Sequence, residues 1–313
     1  MFIIRIVMAV QSGEAGNELE FDVPKGKLKA YKYLIFEVYH SSDYSLRVGF
    51  NFFRKNNNKS IELQGGENTS EERNKPVIGV KIGVIPQLKT NVVFPLSHLD
   101  AQQVFLNRNP RQLKGTVSGS RIAPEQVSSF SVEINPFEGK MFNPELQIKM
   151  LYFSETLPDP LEKPEKSVVD EFGQWAVKDY KGKVVSSDDL VNQLKRLEKI
   201  AENASFPEDW SQYGGWKEKK FDATGFFHVK KDGEKWWLVD PDGYAFVSVG
   251  IDCIRSSSSG WIEGQKDIFA WLPAENSEYA ECYGNLRGQK MFDFFKSNLI
   301  RVYGDDWKQK WYK

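Results

Sequence analysis

Asp240, Asp242, Asp252 and Arg255 are the residues whose types and spacing come nearest to chemistry in this sequence. Two carboxylates close together could share the acid and base roles of a hydrolase. Asp240-Pro241-Asp242-Gly243 is also a turn signature, however: proline presets φ at the first corner and glycine takes the left-handed one, which accounts for both aspartates without catalysis. No turn signature explains Asp252 and Arg255. Together they suit hydrogen bonding to several hydroxyls of one ligand, or an ion pair with each other. Trp261 and Trp271 could line a subsite for a ring with an apolar face or close over it, and a structural packing role explains them better.

Other chemistries lack their residues. There is no glycine-rich phosphate loop, no Ser/His/Asp order and no Cys/His cluster, which counts against nucleotide binding and acyl transfer. His40, His98 and His228 are far apart, and Cys253 and Cys282 have no metal-ligand spacing, so neither a metal nor another cofactor is expected. The formal net charge of −1 gives no reason to expect nucleic acid or an anionic membrane as partner. No run approaches the roughly 18 apolar residues of a membrane span. Met1 to Val10 is apolar but lacks a long apolar stretch and a small-residue cleavage site, so it reads as a strand rather than a secretory signal.

The elements that must position Asp252 and Arg255 begin at Phe226. Phe226–Val229, Trp236–Val239 and Tyr244–Ile251 read as three strands joined by Lys231-Asp232-Gly233-Glu234 and Asp240-Pro241-Asp242-Gly243. The third is almost wholly apolar, as in a strand covered on both faces in a parallel sheet or barrel, which would bury Cys253 near its end. The polar residues after it would then stand at the strand's C-terminal end, where such folds bind ligands.

Upstream, Leu34–Tyr39, Tyr44–Phe53, Lys59–Leu63, Val77–Val84, Asn91–Pro95, Phe130–Ile134 and Leu146–Phe153 are short, β-branched or aromatic runs. The segments Ser41–Asp43, Lys55–Asn58 and Gln64–Asn68 supply loop chemistry between them. Such spacing predicts an antiparallel sandwich or jelly roll, with Pro124 opening a short helical turn and Leu146, Ile148, Met150 and Tyr152 sharing one face. Tyr39 and Tyr44 on this sandwich could meet a glycan or simply pack. Three prolines between 158 and 164 form an extended spacer and a domain boundary. Ser186–Asp189 caps a helix whose stripe is Leu190, Leu194, Leu197 and Ala201. Trp210, Tyr213 and Trp216 form an aromatic loop, a helix is expected from Gly288, and Asp305 caps a last one carrying Trp307 and Trp311. The apolar strand Tyr244–Ile251 finds no parallel neighbour, so the C-terminal domain reads as incomplete. The boundaries are therefore 1–155 for the sandwich, 156–218 for the linker and connecting helix, and 219–313 for the meander and the start of an α/β domain.

The run Trp236-Trp237-Leu238-Val239-Asp240-Pro241-Asp242-Gly243 followed by Phe246-Val247-Ser248-Val249-Gly250-Ile251-Asp252-Cys253-Ile254-Arg255 resembles the entry to the catalytic barrel of agarase-like glycoside hydrolases, family 50 and its relatives. The resemblance continues through Ile268–Pro273 and Asn298–Trp307, with Ser120–Val127 and Asp170–Trp175 upstream. It implies a galactose-binding-like β-sandwich ahead of a (β/α)₈ barrel that cleaves galactose-containing polysaccharide with retention. It further implies that the acid/base and the nucleophile lie on the fourth and seventh barrel strands, beyond Lys313, so this chain alone should be inactive. Secretion or a periplasmic location is expected from the family. The polysaccharide or an oligosaccharide would be the partner, with Asp252, Arg255, Trp261 and Trp271 as substrate contacts. The alternative is a non-catalytic carbohydrate-binding or surface-scaffold protein in which the sandwich does the work.

Overall fold

The structure, a computed structural model, describes residues 2–4, 8–10, 18–54, 76–135 and 146–312. It divides into two compact units, one formed by 1–179 with 262–272 and the other by 180–261 with 273–313.

The first unit is an antiparallel sandwich. Its strands are β1 (Phe2–Ile4), β2 (Met8–Val10), β3 (Glu18–Asp22), β4 (Tyr33–His40), β5 (Leu46–Arg54), β6 (Ile78–Val84), β7 (Thr90–Pro95), β8 (Gln112–Gly119), β9 (Val127–Asn135) and β10 (Leu146–Ser154). One sheet runs β1-β10-β4-β7, with β2 also on β10; the other runs β3-β9-β5-β6-β8. Alternation along the strands sends Phe36, Phe50, Phe52, Phe94 and Phe130 into the core. Their rings meet mostly tilted or edge-on, with Phe50 and Phe94 at 5.2 Å between centroids. The expected strand Lys59–Leu63 and the loops 55–58 and 64–68 lie outside the described residues, while the described parts of 1–10 are strands, both pairing with β10. In β10 the expected single face breaks. A register shift between Ile148 and Met150 hands the buried side over, so Leu146 and Ile148 are followed inward by Leu151 and Phe153 rather than by Met150 and Tyr152.

Two histidines are buried in this unit. His40 pairs Nδ1 with Ser42 Oγ at 2.8 Å and leaves Nε2 without a partner; His98, in the 3₁₀ turn Leu96–Asp100, leaves both ring nitrogens without one. Burial lowers both below the ordinary 6.5, at His40 against opposing contributions from the backbone of Val84 and Ile85, and so favours the neutral ring in the folded protein. The unfolded chain takes up its protons at the ordinary value, so this contribution to stability is complete above pH 6.5 and is lost as pH falls towards the depressed folded values. We expect the urea midpoint to drop between pH 8 and about pH 5, and His98→Phe to drop less over the same interval. Equal drops would remove His98 from the account.

The second unit holds α1 (Ser187–Glu202), an antiparallel sheet β11-β14-β13-β12, a smaller sheet β15-β17-β16, and the helices α2 (Phe294–Tyr303) and α3 (Trp307–Tyr312). Here β11 is Gly215–Lys220, β12 His228–Asp232, β13 Lys235–Val239, β14 Tyr244–Phe246, β15 Ser259–Trp261, β16 Tyr283–Leu286 and β17 Gln289–Asp293. Ser186 caps α1 by accepting from Asp189 N–H at 3.1 Å. Of its stripe Leu190 is buried, whereas Leu197 is exposed.

Three expectations change. The apolar strand expected over 244–251 ends at Phe246; residues 247–255 form no strand and are exposed, with Ile251 at 82%. Among the described residues no start of a parallel barrel is formed: every named strand pairing is antiparallel, and the parallel contact Val169–Phe269 is an isolated bridge. An apolar run stays a strand only with neighbours for its backbone, and β14 finds β11 and β13 only as far as Phe246. The helix expected from Gly288 begins at Phe294, because Arg287 (φ 54°) and Gly288 (φ 78°) make the two-residue hairpin turn that joins β16 to β17, and Asp293 then caps the helix by accepting from Lys296 N–H at 3.0 Å.

Candidate functional site

Asp240 has zero exposure and is committed to its turn. Its carboxylate accepts the Ser211 hydroxyl and, at 2.8 Å, the Tyr244 N–H, while Ser211 Oγ in turn accepts from Gly215 N–H at 2.9 Å and Tyr213 N–H at 3.2 Å. Gly243, at φ 91°, closes the turn by donating to the Asp240 carbonyl. Asp242 accepts from Gln212 Nε2 at 3.0 Å. Asp240, so enclosed, cannot reach a ligand, whereas Asp242 is half-exposed at the next corner of the same turn.

Asp252 and Arg255 follow the meander in the exposed segment 247–255. Asp252 accepts from Cys253 N–H at 2.7 Å, stabilising a left-handed backbone at Cys253 (φ 62°), and no ion pair joins Asp252 to Arg255. Trp261 ends β15 opposite Met291 and is buried, at 6% exposure. Trp271 is half-buried and belongs to the sandwich unit. Among the described residues no group of three or more His, Cys, Asp or Glu is placed to hold a metal ion.

Cys253 is exposed, not buried as the apolar strand implied, because that strand ends seven residues earlier, at Phe246. Cys282 is buried, and burial pushes its thiol up to about 12, with Asp293 and Glu281 adding to the rise against an opposing contribution from Lys296. Native alkylation at about pH 8 should therefore add one adduct, on Cys253, and a second only after denaturation. Two adducts on the native protein, read by intact mass, would contradict the burial of Cys282.

The groups that sequence reading passed over sit in the sandwich unit, around Arg111. Asn109-Pro110-Arg111-Gln112 is a turn closed by Gln112 N–H on the Asn109 carbonyl at 3.1 Å, with Arg111 in the left-handed region (φ 62°) where glycine is usual. The Arg111 guanidinium is buried and ion-paired with Asp267, and it donates to the carbonyls of Lys89 (3.3 Å), Leu161 (3.4 Å) and Glu162 (2.7 Å). Its backbone N–H donates to Gln265 Oε1 at 2.5 Å. One side chain thus fastens the proline-rich 157–164 segment and the 262–272 excursion to the sheet. An Asn-Pro signature alone could have flagged the turn; nothing in the sequence points to its partners.

β-Agarase B of Vibrio sp. (strain JT0107) is 30% identical to this chain over 166 residues, covering 44% of the chain and 17% of that protein. This chain is a relative of the β-agarases. No protein-family model matches it. Among solved structures, an agarase aligns with 94% of this chain and 44% of its own at 21% identity, with a TM-score of 0.46. An exo-β-agarase aligns with 94% and 46% at 20% identity, with the same TM-score of 0.46. The chain therefore spans about a sixth of the curated agarase it matches and less than half of these solved chains.

Proposed function

We propose that this chain is the N-terminal, non-catalytic part of a retaining glycoside hydrolase that cleaves β-linked galactose polysaccharide such as agarose. The observation that carries the reading is the 30% identity to β-agarase B over 166 residues. In this reading 1–155 is an accessory carbohydrate-binding-like sandwich, 156–218 connects, and 219–313 begins the catalytic barrel, whose acid/base and nucleophile follow residue 313. The exposed run after Phe246 supports it, since Val247, Val249 and Ile251 have the composition of a buried barrel strand and no neighbours to bury them. Asp252 and Arg255 would then stand beside the substrate path, with their side chains free of each other. Within the second unit Trp261, being buried, would support these contacts from behind, and within the sandwich unit Trp271 would offer part of a ring face.

The test is made on the protein that the source organism produces. An intact mass well above 36.0 kDa, with release of neoagaro-oligosaccharides from agarose, is the expected result. This chain alone should release none. Absence of product from a longer form would sink the substrate assignment, and turnover by the 313-residue chain would sink the placement of the carboxylates.

A further inference from the structure

Beside Arg111 the sandwich unit forms an open cleft of about 340 Å³, within the range that holds small ligands. Its walls are apolar and stiff: Val93 and Pro110 on the sheet side, Leu157, Pro158, Pro160 and Leu161 on the other. Proline and leucine surfaces are pre-formed, so a ligand meets them at little conformational cost. The polar groups on the lining are Asn91, Asn109, Arg111, Asp159 and Asp267.

Those groups keep both acceptors and donors for a ligand. Asn91 Nδ2 donates to the Asp159 carbonyl at 3.4 Å and Asn109 Nδ2 to the Val93 carbonyl at 3.4 Å. The Arg111 guanidinium is taken by three carbonyls and Asp267. Among the described residues, Oδ1 of Asn91, Oδ1 of Asn109 and the second oxygen of Asp267 have no partner. Each amide Nδ2 keeps a second N–H, so the cleft presents these three acceptors together with donors from Asn91 and Asn109. Arg111 offsets the charge of Asp267, and Asp159 is exposed to solvent. A ligand fitting this lining is uncharged, carries several hydroxyls that can both donate and accept, and has an apolar face.

We propose that this cavity is a binding site for a neutral saccharide of one or two rings, separate from the substrate contacts assigned above. Hydroxyls would donate to Asn91, Asn109 and Asp267, and the C–H face of a ring would lie on the proline and leucine wall. That the sugar is a galactose unit rests on the proposed polysaccharide reading; that it is a neutral saccharide does not.

The test is saturation-transfer NMR and calorimetry on the whole chain with three probes: a galactose disaccharide, a glucose disaccharide, and the per-O-methylated galactose disaccharide. Binding on the order of millimolar is expected for a free disaccharide and none for the methylated one, which has lost its donors. Leu157→Trp fills the cavity from an exposed position outside the Arg111 network, and Asn109→Leu removes one acceptor. Each should weaken binding by about tenfold or more, and Leu157→Trp should do so with an unchanged unfolding midpoint. Binding of the glucose sugar alone would support the site and count against the galactan reading. Silence from both free sugars, equal binding of the methylated one, or affinity unmoved by Leu157→Trp would overturn the proposal. So would binding of a small aliphatic amine in place of either sugar.

Discussion

Arg111→Ala should lower the unfolding free energy of the sandwich unit by about 3–5 kcal/mol, the usual cost of stripping one partner from a buried ion pair. The substitution leaves the Asp267 carboxylate beside a hole and the carbonyls of Lys89, Leu161 and Glu162 without their donor. It also keeps the backbone strain, because alanine is no more at ease than arginine at φ 62°. Arg111→Gly separates the two contributions: it loses the same guanidinium and relieves the dihedral, so it should be more stable than the alanine variant by about 1 kcal/mol. Urea titration of wild type and both variants measures all three. A loss under about 1 kcal/mol for Arg111→Ala would mean that the network is exchangeable with water. Glycine and alanine variants of equal stability would mean that the left-handed turn is not what the chain holds at Arg111.

Asp240→Ala should cost about 3 kcal/mol in the second unit, since it leaves the Ser211 hydroxyl and the Tyr244 N–H buried without an acceptor. Gly215→Ala strikes the same place from the other side. A Cβ there would stand 2.2 Å from Asp240 Oδ2 and 2.8 Å from Tyr244 Cβ, so something must move, at roughly 1–3 kcal/mol. Because one carboxylate oxygen takes part in both effects, the double variant should be more stable than the sum of the single losses implies. Strict additivity, measured by thermal or urea unfolding, would show that Gly215 and Asp240 act independently and would rule out the close packing described here.

How far the sequence could be read follows from where its information is local. Alternation in Leu34–Tyr39 and Leu146–Phe153 specifies strands because each residue's face is set by its own neighbours. Ser186 and the Asp240–Gly243 turn were legible for the same reason: a cap or a turn is written within four residues. The register shift in β10 was not legible, because it depends on how Ile148 and Met150 meet Val38 and Glu37 in the next strand. The hairpin at Arg287-Gly288 was missed because arginine is an uncommon first residue for a turn that needs positive φ twice. Arg111 carried no signal at all, since Gln265 and Asp267 approach it from more than 150 positions away. Of the proposed substrate contacts, residue type was readable but placement was not. Trp261 is covered, Asp252 spends one oxygen on its own backbone, and only the fold could report either.

The segment from Val247 to Ile254 has a consequence for anyone handling the isolated chain. It offers solvent a row of β-branched side chains and a backbone without strand neighbours, the composition that nucleates sheet formation between copies. Asp252 and Arg255 are its nearest charges and act as gatekeepers at its far end, whereas the Val247–Ile251 end carries no charge to repel a second molecule. Concentrated solutions should therefore become turbid with time, first at the ionic strengths that mask those two charges, and a lysine placed at Val249 should keep them clear.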